Sequence, residues 1–389
     1  MTSNRRAAIV TSRLPRLIDP RATWLRGLRA ALRRIKQLGE TLVVVDGTAG
    51  SDFVRRGAER LGIAVERVTA SDSGDPSKRP DADDVSIPER DRLLLKTAET
   101  VLVLGVRTNG NVHRALREHL FTGGRAELID LDDLQSRSAR DDLIGLGASV
   151  WLPFEADQLP FGSPAKCEPA ARPDVYEVVP FPARDEWIFL SHTTRACTGA
   201  WPGQSQNEYV DSLLDNTPDA DHSVVAVLER ILVQQRLLAS RRTIRGGNPV
   251  VCLTAVPLLD LPNLRQFRTH RTRWDFEPFG LCIRRDWLQD RGTRPVVYGD
   301  EQTWLSLSES DRPFFQLSHH ADSDGEAASP PIDWSVEQEW RHEGDLDLRD
   351  LPPDQGLVFV PRFEAVVRLA EVSRWPMTLW PDPSIFVLD

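Results

Sequence analysis

Thr41-Leu42-Val43-Val44-Val45-Asp46-Gly47-Thr48-Ala49-Gly50-Ser51-Asp52 is an aliphatic run that ends in a glycine-bearing turn and opens a helix. Such a run, with no polar residue alternating through it, reads as a strand covered on both faces, the condition of a parallel sheet. Toward the N-terminus, residues 7–11 form a second short apolar run. Asp19-Pro20 then offers an N-cap and a first-turn proline to a helix in which Trp24, Leu28, Leu32, Ile35 and Leu38 recur until Gly39. In the other direction a helix carries Phe53, Val54, Ala58 and Leu61 up to Gly62. Strands over 65–69, 101–104 and 126–131 alternate with helices over 93–98 and 111–120, and residues 71–84 read as a polar loop. Alternation of this kind predicts right-handed crossovers, helices on both faces and a ligand site at the carboxyl ends of the strands.

The fold class expected is α/β: a Rossmann-like parallel sheet in an N-terminal domain, followed by an α+β C-terminal domain. Prolines 160, 164, 169, 173, 180 and 182 exclude a helix or a central strand between them. The boundaries expected are therefore 1–150 for the first domain, 151–186 for a proline-rich linker and 187–389 for the second. Beyond the linker, strands are predicted over 187–190, 250–253, 280–283, 295–298 and 357–360, with a helix over 224–238. Residues 318–331 read as an acidic loop of small residues, and no internal repeat is present.

The chain has 389 residues, 48 basic and 58 acidic, for a net charge of −10. No apolar run is long enough for a membrane span and the first residues lack the core of a signal peptide, so a soluble, cytoplasmic, bacterial protein is expected. Cys167, Cys197, Cys252 and Cys282 are far apart, which argues against a disulfide framework and against a zinc ribbon. His319-His320 lacks metal-ligand spacing, and no metal is expected. The acidic total conceals an uneven distribution. Residues 241–294 hold eleven arginines and five acids, a local charge of +6 that leaves −16 elsewhere.

Two strand-to-helix turns carry the candidate chemistry of the first domain. Gly47, Thr48, Gly50 and Ser51 form one, and Thr108, Asn109, Gly110 and Asn111 the other. With Arg13 after the first strand they make a candidate nucleotide-phosphate pocket, because glycines let backbone amides approach an anion and helix N-termini favour it. The alternative is that the glycines only make tight turns. The stretches Ala7-Ala8-Ile9-Val10-Thr11-Ser12-Arg13, Asp46-Gly47-Thr48-Ala49-Gly50-Ser51-Asp52, Pro88-Glu89-Arg90-Asp91-Arg92 and Thr108-Asn109-Gly110-Asn111 resemble the SLOG superfamily of Rossmann-like domains. That group includes DprA, the LOG phosphoribohydrolases and nucleotide-sensing modules of bacterial defence systems. The resemblance spans about 130 residues and implies a nucleotide or nucleic-acid ligand over the two turns. It also implies binding rather than hydrolysis there, since Arg114 and its neighbours occupy the place of the LOG catalytic glutamate.

In the second domain, polar residues close the stretches Phe189-Leu190-Ser191-His192-Thr193-Thr194-Arg195 and Val251-Cys252-Leu253-Thr254. Arginine and aromatic residues interleave over 265–279, so Arg245, Arg268, Arg271 and Arg273 are candidate phosphate or nucleic-acid contacts, the alternative being a solvated charged helix. Glu337 and Glu339 alternate along an expected strand, and one of them is the best candidate carboxylate. Cys252-Leu253-Thr254, Phe279-Gly280-Leu281 and Glu337-Gln338-Glu339-Trp340-Arg341 distantly resemble AbiGi-like abortive phage-resistance proteins. A histidine, a strand-end hydroxyl and a late glutamate also resemble the layout of the ADP-ribosyltransferase-like fold, which implies catalytic roles for His192, Thr254 and Glu339. The resemblances together imply a nucleotide-sensing antiviral protein whose second domain acts on NAD or another nucleotide at a ribosyl N-glycosidic bond. The competing class is a non-catalytic nucleotide or nucleic-acid binding regulator. Homo-oligomerisation is left open.

Overall fold

A computed structural model describes residues 5–69, 88–132, 134–162, 178–180, 182–242, 244–268, 273–318 and 333–381. The chain forms two compact units, one comprising Met1–Cys167 with Cys197–His222, the other Glu168–Ala196 with Ser223–Asp389.

The first unit is a six-stranded sheet of β1 (Arg6–Thr11), β2 (Thr41–Val45), β3 (Val65–Val68), β4 (Thr100–Gly105), β5 (Ala126–Ile129) and β6 (Ser149–Trp151), all parallel, in the order β3-β2-β1-β4-β5-β6. The aliphatic runs are strands because each feeds two cores. Ile9, Leu42, Val44 and Leu102 face one side with α1 (Thr23–Leu38) and α2 (Ser51–Leu61). Ala8, Val10, Val43, Val45, Val101 and Val103 face the other, with α3 (Glu89–Thr97), α4 (Asn111–Phe121) and α5 (Arg137–Gly145). The strand order reverses between β1 and β4, which opens a crevice at their carboxyl ends, where doubly wound sheets hold ligands.

Three differences from the expected organisation have physical causes. Helix α5 and strand β6 extend the sheet past residue 131, and the short α6 (Glu155–Gln158) follows. Asp19 accepts the Arg21 amide at 2.8 Å and closes a turn, so the first helix starts at Thr23 instead. Residues 197–222, expected in the second domain, belong to the first unit. There α7 (Gln206–Asp215) buries Tyr209, Val210, Leu213 and Leu214 in the core beside α1 and α2. Arg29, 2 % exposed, donates to the carbonyls of Leu214 at 2.9 Å and Leu213 at 2.8 Å, satisfying the end of that helix. Arg56 and Arg60 clamp Asp211 and Asp215 from α2.

The second unit is built on a seven-stranded mixed sheet. Its strands in spatial order are Arg294–Pro295, Glu339–Glu343, Val250–Thr254, Phe189–Thr193, Gly280–Arg284, Gly356–Val360 and Met377–Leu379, antiparallel except for the last pair. Leu190, Leu253, Leu281, Ile283 and Val358 pack one face against the Val224–Gln234 and Phe363–Leu369 helices. Phe189, Cys282, Leu357, Phe359 and Trp380 fill the other. The expected helix over 224–238 stops at Gln235, which turns left-handed at φ 50° and releases the chain. Residues 265–279 are not the solvated helix considered as the alternative: Phe267–Arg268 and Arg273–Trp274 pair as an antiparallel hairpin. The loops expected over 71–84 and most of 318–331, the His319-His320 pair, Cys167 and Arg271 lie outside the described residues. Among the described residues, no helix is long and apolar enough to cross a membrane and no cluster of His, Cys, Asp or Glu could hold a metal ion.

Candidate functional site

The cavity of the second unit lies where its sheet opens. Phe189–Thr193 and Val250–Thr254 share a single pair, Ser191 with Thr254, and diverge beyond it. The opening is a cavity of about 190 Å³ lined by His192, Arg195, Cys252, Thr254, Asp275, Phe276, Trp334, Glu337, Glu339 and Arg341, among others. Three residues expected from sequence to act together, His192, Thr254 and Glu339, thus come from three different strands to one cavity.

Their partners define what each can do. Nδ1 of His192 lies 3.0 Å from the Cys252 carbonyl. A carbonyl can only accept, so Nδ1 carries the proton and Nε2 is an acceptor. Burial lowers the His192 pKa, with the carbonyl bond opposing and Arg195 adding to the effect, so the ring favours its neutral form. The Thr254 hydroxyl donates to the Glu337 carbonyl at 2.6 Å and accepts the Val256 amide at 3.1 Å. Its donor is therefore spent on holding the turn. Glu339 receives Arg341 through both carboxylate oxygens, at 2.9 and 3.1 Å, and its own amide donates to the Tyr298 hydroxyl at 3.0 Å. Arg341 is 1 % exposed, so this is a buried pair rather than the surface pair that spacing alone allows.

Glu337 differs from its acidic neighbours. Asp275 is taken by Arg268 at 2.5 Å and Glu339 by Arg341. Among the described residues the Glu337 carboxyl makes no hydrogen bond or ion pair, and neither does the Arg195 guanidinium. Burial, then the charges of Glu339 and Asp275, push the Glu337 carboxyl up to about 7, against the pull of Arg268 and Arg195. Glu337 does not reach the cavity by strand alternation as expected. It ends the 3₁₀ turn Trp334–Glu337, Gln338 adopts φ 44°, and the strand begins at Glu339. Phe276, on the other rim, has φ 51°. Left-handed backbone at non-glycine residues costs about 1–3 kcal/mol and clusters at functional sites.

The raised Glu337 value fixes the sign of a pH effect on stability. The folded chain keeps a proton that the unfolded chain releases above the ordinary carboxylate range. Stability from this residue is therefore full at low pH and falls as pH rises toward about 7. Glu337→Gln is expected to flatten that decline. Melting temperatures at about pH 5 and about pH 7.5 should differ less in the variant than in the parent, and an unchanged difference excludes Glu337 as the titrating group.

The thiolate form is disfavoured at Cys252, on the cavity wall, and at Cys282 behind it. Burial and the Glu339 charge push the Cys252 thiol up, and burial pushes Cys282, 3.3 Å from the Ser191 hydroxyl, up to about 12. Two of the four arginines assigned to phosphate contacts are otherwise engaged. Arg245 pairs with Glu301 at 2.6 Å and lies over the Trp304 ring, and Arg268 pairs with Asp275 and lies 5.4 Å from the Trp334 centroid. Arg284 and Arg294 also have acidic partners, Asp286 and Asp311. The +6 of this segment therefore overstates its free positive charge. Arg273 lies in the hairpin strand, and only its backbone is described.

In the first unit the crevice between β1 and β4 contains a cavity of about 520 Å³ lined by Thr11, Ser12, Arg13, Gly47, Gly50, Arg90, Asp91, Arg107, Gly110 and Asn111, among others. Arg13, Gly47, Gly50, Gly110 and Asn111 thus meet as expected. Gly47 and Gly50 adopt φ 80° and 78°, which the turn demands. The other four expected residues do not line this cavity. Thr48 donates to the Val45 carbonyl at 2.8 Å, Ser51 opens α2, Thr108 bonds Ser136 at 2.7 Å, and the Asn109 amide donates to His113 Nδ1 at 3.2 Å. They shape the turns. Arg90 and Arg107 went unnoticed as pocket residues because each falls in a loop or first turn where exposed arginine is common. Arg114 bonds the Asn111 side chain at 2.7 Å.

No protein-family model matches the chain, and no curated protein does. Solved structures resemble part of it. The molybdenum cofactor carrier protein of Chlamydomonas reinhardtii aligns at 13 % identity over 40 % of this chain and 93 % of its own, with a TM-score of 0.29. DNA processing protein A of Streptococcus pneumoniae aligns at 15 % identity over 39 % and 60 %, TM-score 0.29. The molybdenum cofactor binding protein of Rippkaea orientalis aligns at 13 % identity over 40 % and 94 %, TM-score 0.29. Likeness of this degree defines no family, and the AbiGi-like resemblance of the second half has no counterpart among these structures.

Proposed function

We propose that the protein binds a nucleotide in the first unit and cleaves a ribosyl N-glycosidic bond of an NAD-type ligand in the second. The observation that carries the catalytic part is the cavity itself. Among the described residues it joins a histidine whose Nε2 has no partner, an arginine-held carboxylate at Glu339 and a carboxyl at Glu337 with no hydrogen-bond or ion-pair partner. The raised carboxyl of Glu337 suits moving a proton, and the arginine-held Glu339 suits facing a developing cation. Nε2 of His192 accepts a ribose hydroxyl. As the bond from the anomeric carbon to the nicotinamide nitrogen breaks, its electron pair neutralises the ring, and the Glu339 charge steadies the ribosyl cation. Water adds to that carbon and gives its proton to Glu337. Release of nicotinamide from NAD, followed by chromatography, tests the reaction. Absence of release with saturating NAD rejects it.

A non-catalytic regulator is the second reading, and one observation favours it. The Thr254 hydroxyl and both Glu339 oxygens are already satisfied internally, which leaves less to give a transition state. The defence role implied by the SLOG and AbiGi-like resemblances, an NAD or nucleotide cofactor and a cytoplasmic setting belong to this same proposal. So does nucleic-acid binding through residues 241–294.

For the first unit the turn geometry supports nucleotide binding. A side chain at Gly50 is strained by φ 78°, and its Cβ would lie 3.4 Å from Thr11 Cγ2 at the cavity wall. Gly50→Val is expected to abolish the rise in melting temperature that ADP produces in the parent. A retained rise in a folded variant removes this cavity from consideration.

A further inference from the structure

We infer that the crevice of the first unit takes a nucleotide bearing two contiguous phosphates, with Arg90 and Arg107 as anchors for different phosphates. This rests on the nucleotide-binding reading above and goes beyond it by naming the ligand class.

Among the described residues, nine arginines of this unit are paired with acids, including Arg34 with Glu127, Arg56 with Asp211, Arg67 with Asp46, Arg92 with Glu118 and Arg140 with Asp130. The three that line the crevice are not. Among the described residues, Arg13, Arg90 and Arg107 have no ion-pair partner, and all three are exposed. The sole acid on the cavity wall among those residues is Asp91, whose carboxyl burial pushes upward, toward its neutral form, against the pull of Arg90. Unneutralised like charges around one cavity repel, and an anion of matching charge relieves them.

The arrangement of this charge sets the ligand's length. The Arg90 guanidinium lies across the β2-to-α2 turn, its Nη1 about 3.3 Å from the point where a Gly47 Cβ would stand. Arg107 is on the other side of the β1 end, its Nη2 donating to the Arg13 carbonyl at 3.0 Å and its amide to the Ser12 hydroxyl at 3.1 Å. Helices α2 and α4, eleven residues each, have Gly50 and Gly110 on the cavity wall as their N-caps, and neither has a side-chain cap. Apart from the Ser51 amide, which donates to the Thr48 carbonyl at 3.2 Å, their first-turn amides are available to an anion, and each helix adds partial positive charge. Three guanidiniums and two open helix ends exceed what one phosphate engages, and they lie on two sides of β1. A second cavity of about 470 Å³ shares Thr11, Ser12, Arg13, Leu14 and Arg107 with the first, which gives the ligand room on both sides of those arginines.

The test is calorimetric titration of the full chain with ADP, AMP, adenosine and inorganic pyrophosphate. The expected result is ADP binding at least about tenfold tighter than AMP, with pyrophosphate competing against ADP. Arg90→Ala and Arg107→Ala should each weaken ADP about tenfold or more while changing AMP much less for one of them. Both side chains are exposed, and an unchanged melting temperature certifies the fold. Equal affinity for ADP and AMP, or full ADP affinity in both variants, overturns the diphosphate inference alone. Failure of all three adenine compounds to bind the parent overturns the nucleotide reading on which it rests.

Discussion

Replacing Arg341 by Met is expected to lower the stability of the second unit by about 3–5 kcal/mol, the range for removing one member of a buried ion pair. Arg341 gives five hydrogen bonds: two to Glu339, two to the carbonyls of Pro313 and Phe315 at 3.0 and 2.7 Å, and one to Gln316 at 2.8 Å. Methionine fills similar volume and satisfies none of them. The Glu339 carboxylate and two carbonyls would be left in a site taken from water. The cost arises from the stranded partners, so Arg341→Met with Glu339→Met should recover a large part of it. Amide hydrogen exchange in the Glu339–Glu343 strand reads this unit directly. A loss below about 1 kcal/mol would show that water reaches the pair.

Glu337→Gln is expected to reduce nicotinamide release from NAD by about 10²–10⁴-fold, the usual contribution of a positioned base. In the parent, Glu337 must be ionised to take the proton, so activity should rise with pH through about 7 and then level. The variant should lose that limb along with the rate. Glu339→Gln should cost about 10²–10³-fold through lost charge stabilisation while the pH limb persists. The pair of profiles separates the two carboxyls, which no single rate can do. If Glu337→Gln keeps the limb, the titrating group is elsewhere. If neither substitution changes release, the cavity does not perform the reaction.

The parallel sheet of the first unit was legible because its inner strands are buried on both faces, which leaves unbroken runs such as Leu42-Val43-Val44-Val45. The second unit was harder, since antiparallel strands of two to five residues give too short a period to locate reliably. The helix of residues 206–215 did carry a usable signal. Ser205 and Glu208 form a capping box, with the Glu208 amide bonded to Ser205 Oγ at 3.2 Å and the return bond at 2.7 Å. What local pattern did not contain was that this helix packs with the first unit, a matter of long-range burial around Arg29.

The sequence by itself determined the residue types of both candidate sites and the glycine turns at 47–50, while the grouping of His192, Thr254 and Glu339 was only what a resemblance implied. Tertiary structure alone decided which charges are spent. Among the described residues Arg245 and Arg268 meet acids, Arg13, Arg90 and Arg107 do not, and Glu339 is locked by Arg341 while Glu337 has no hydrogen-bond or ion-pair partner. Composition counts charges one residue at a time. Whether a charge is available to a ligand depends on which opposite charge the fold sets within about 4 Å of it, in what depth of solvent.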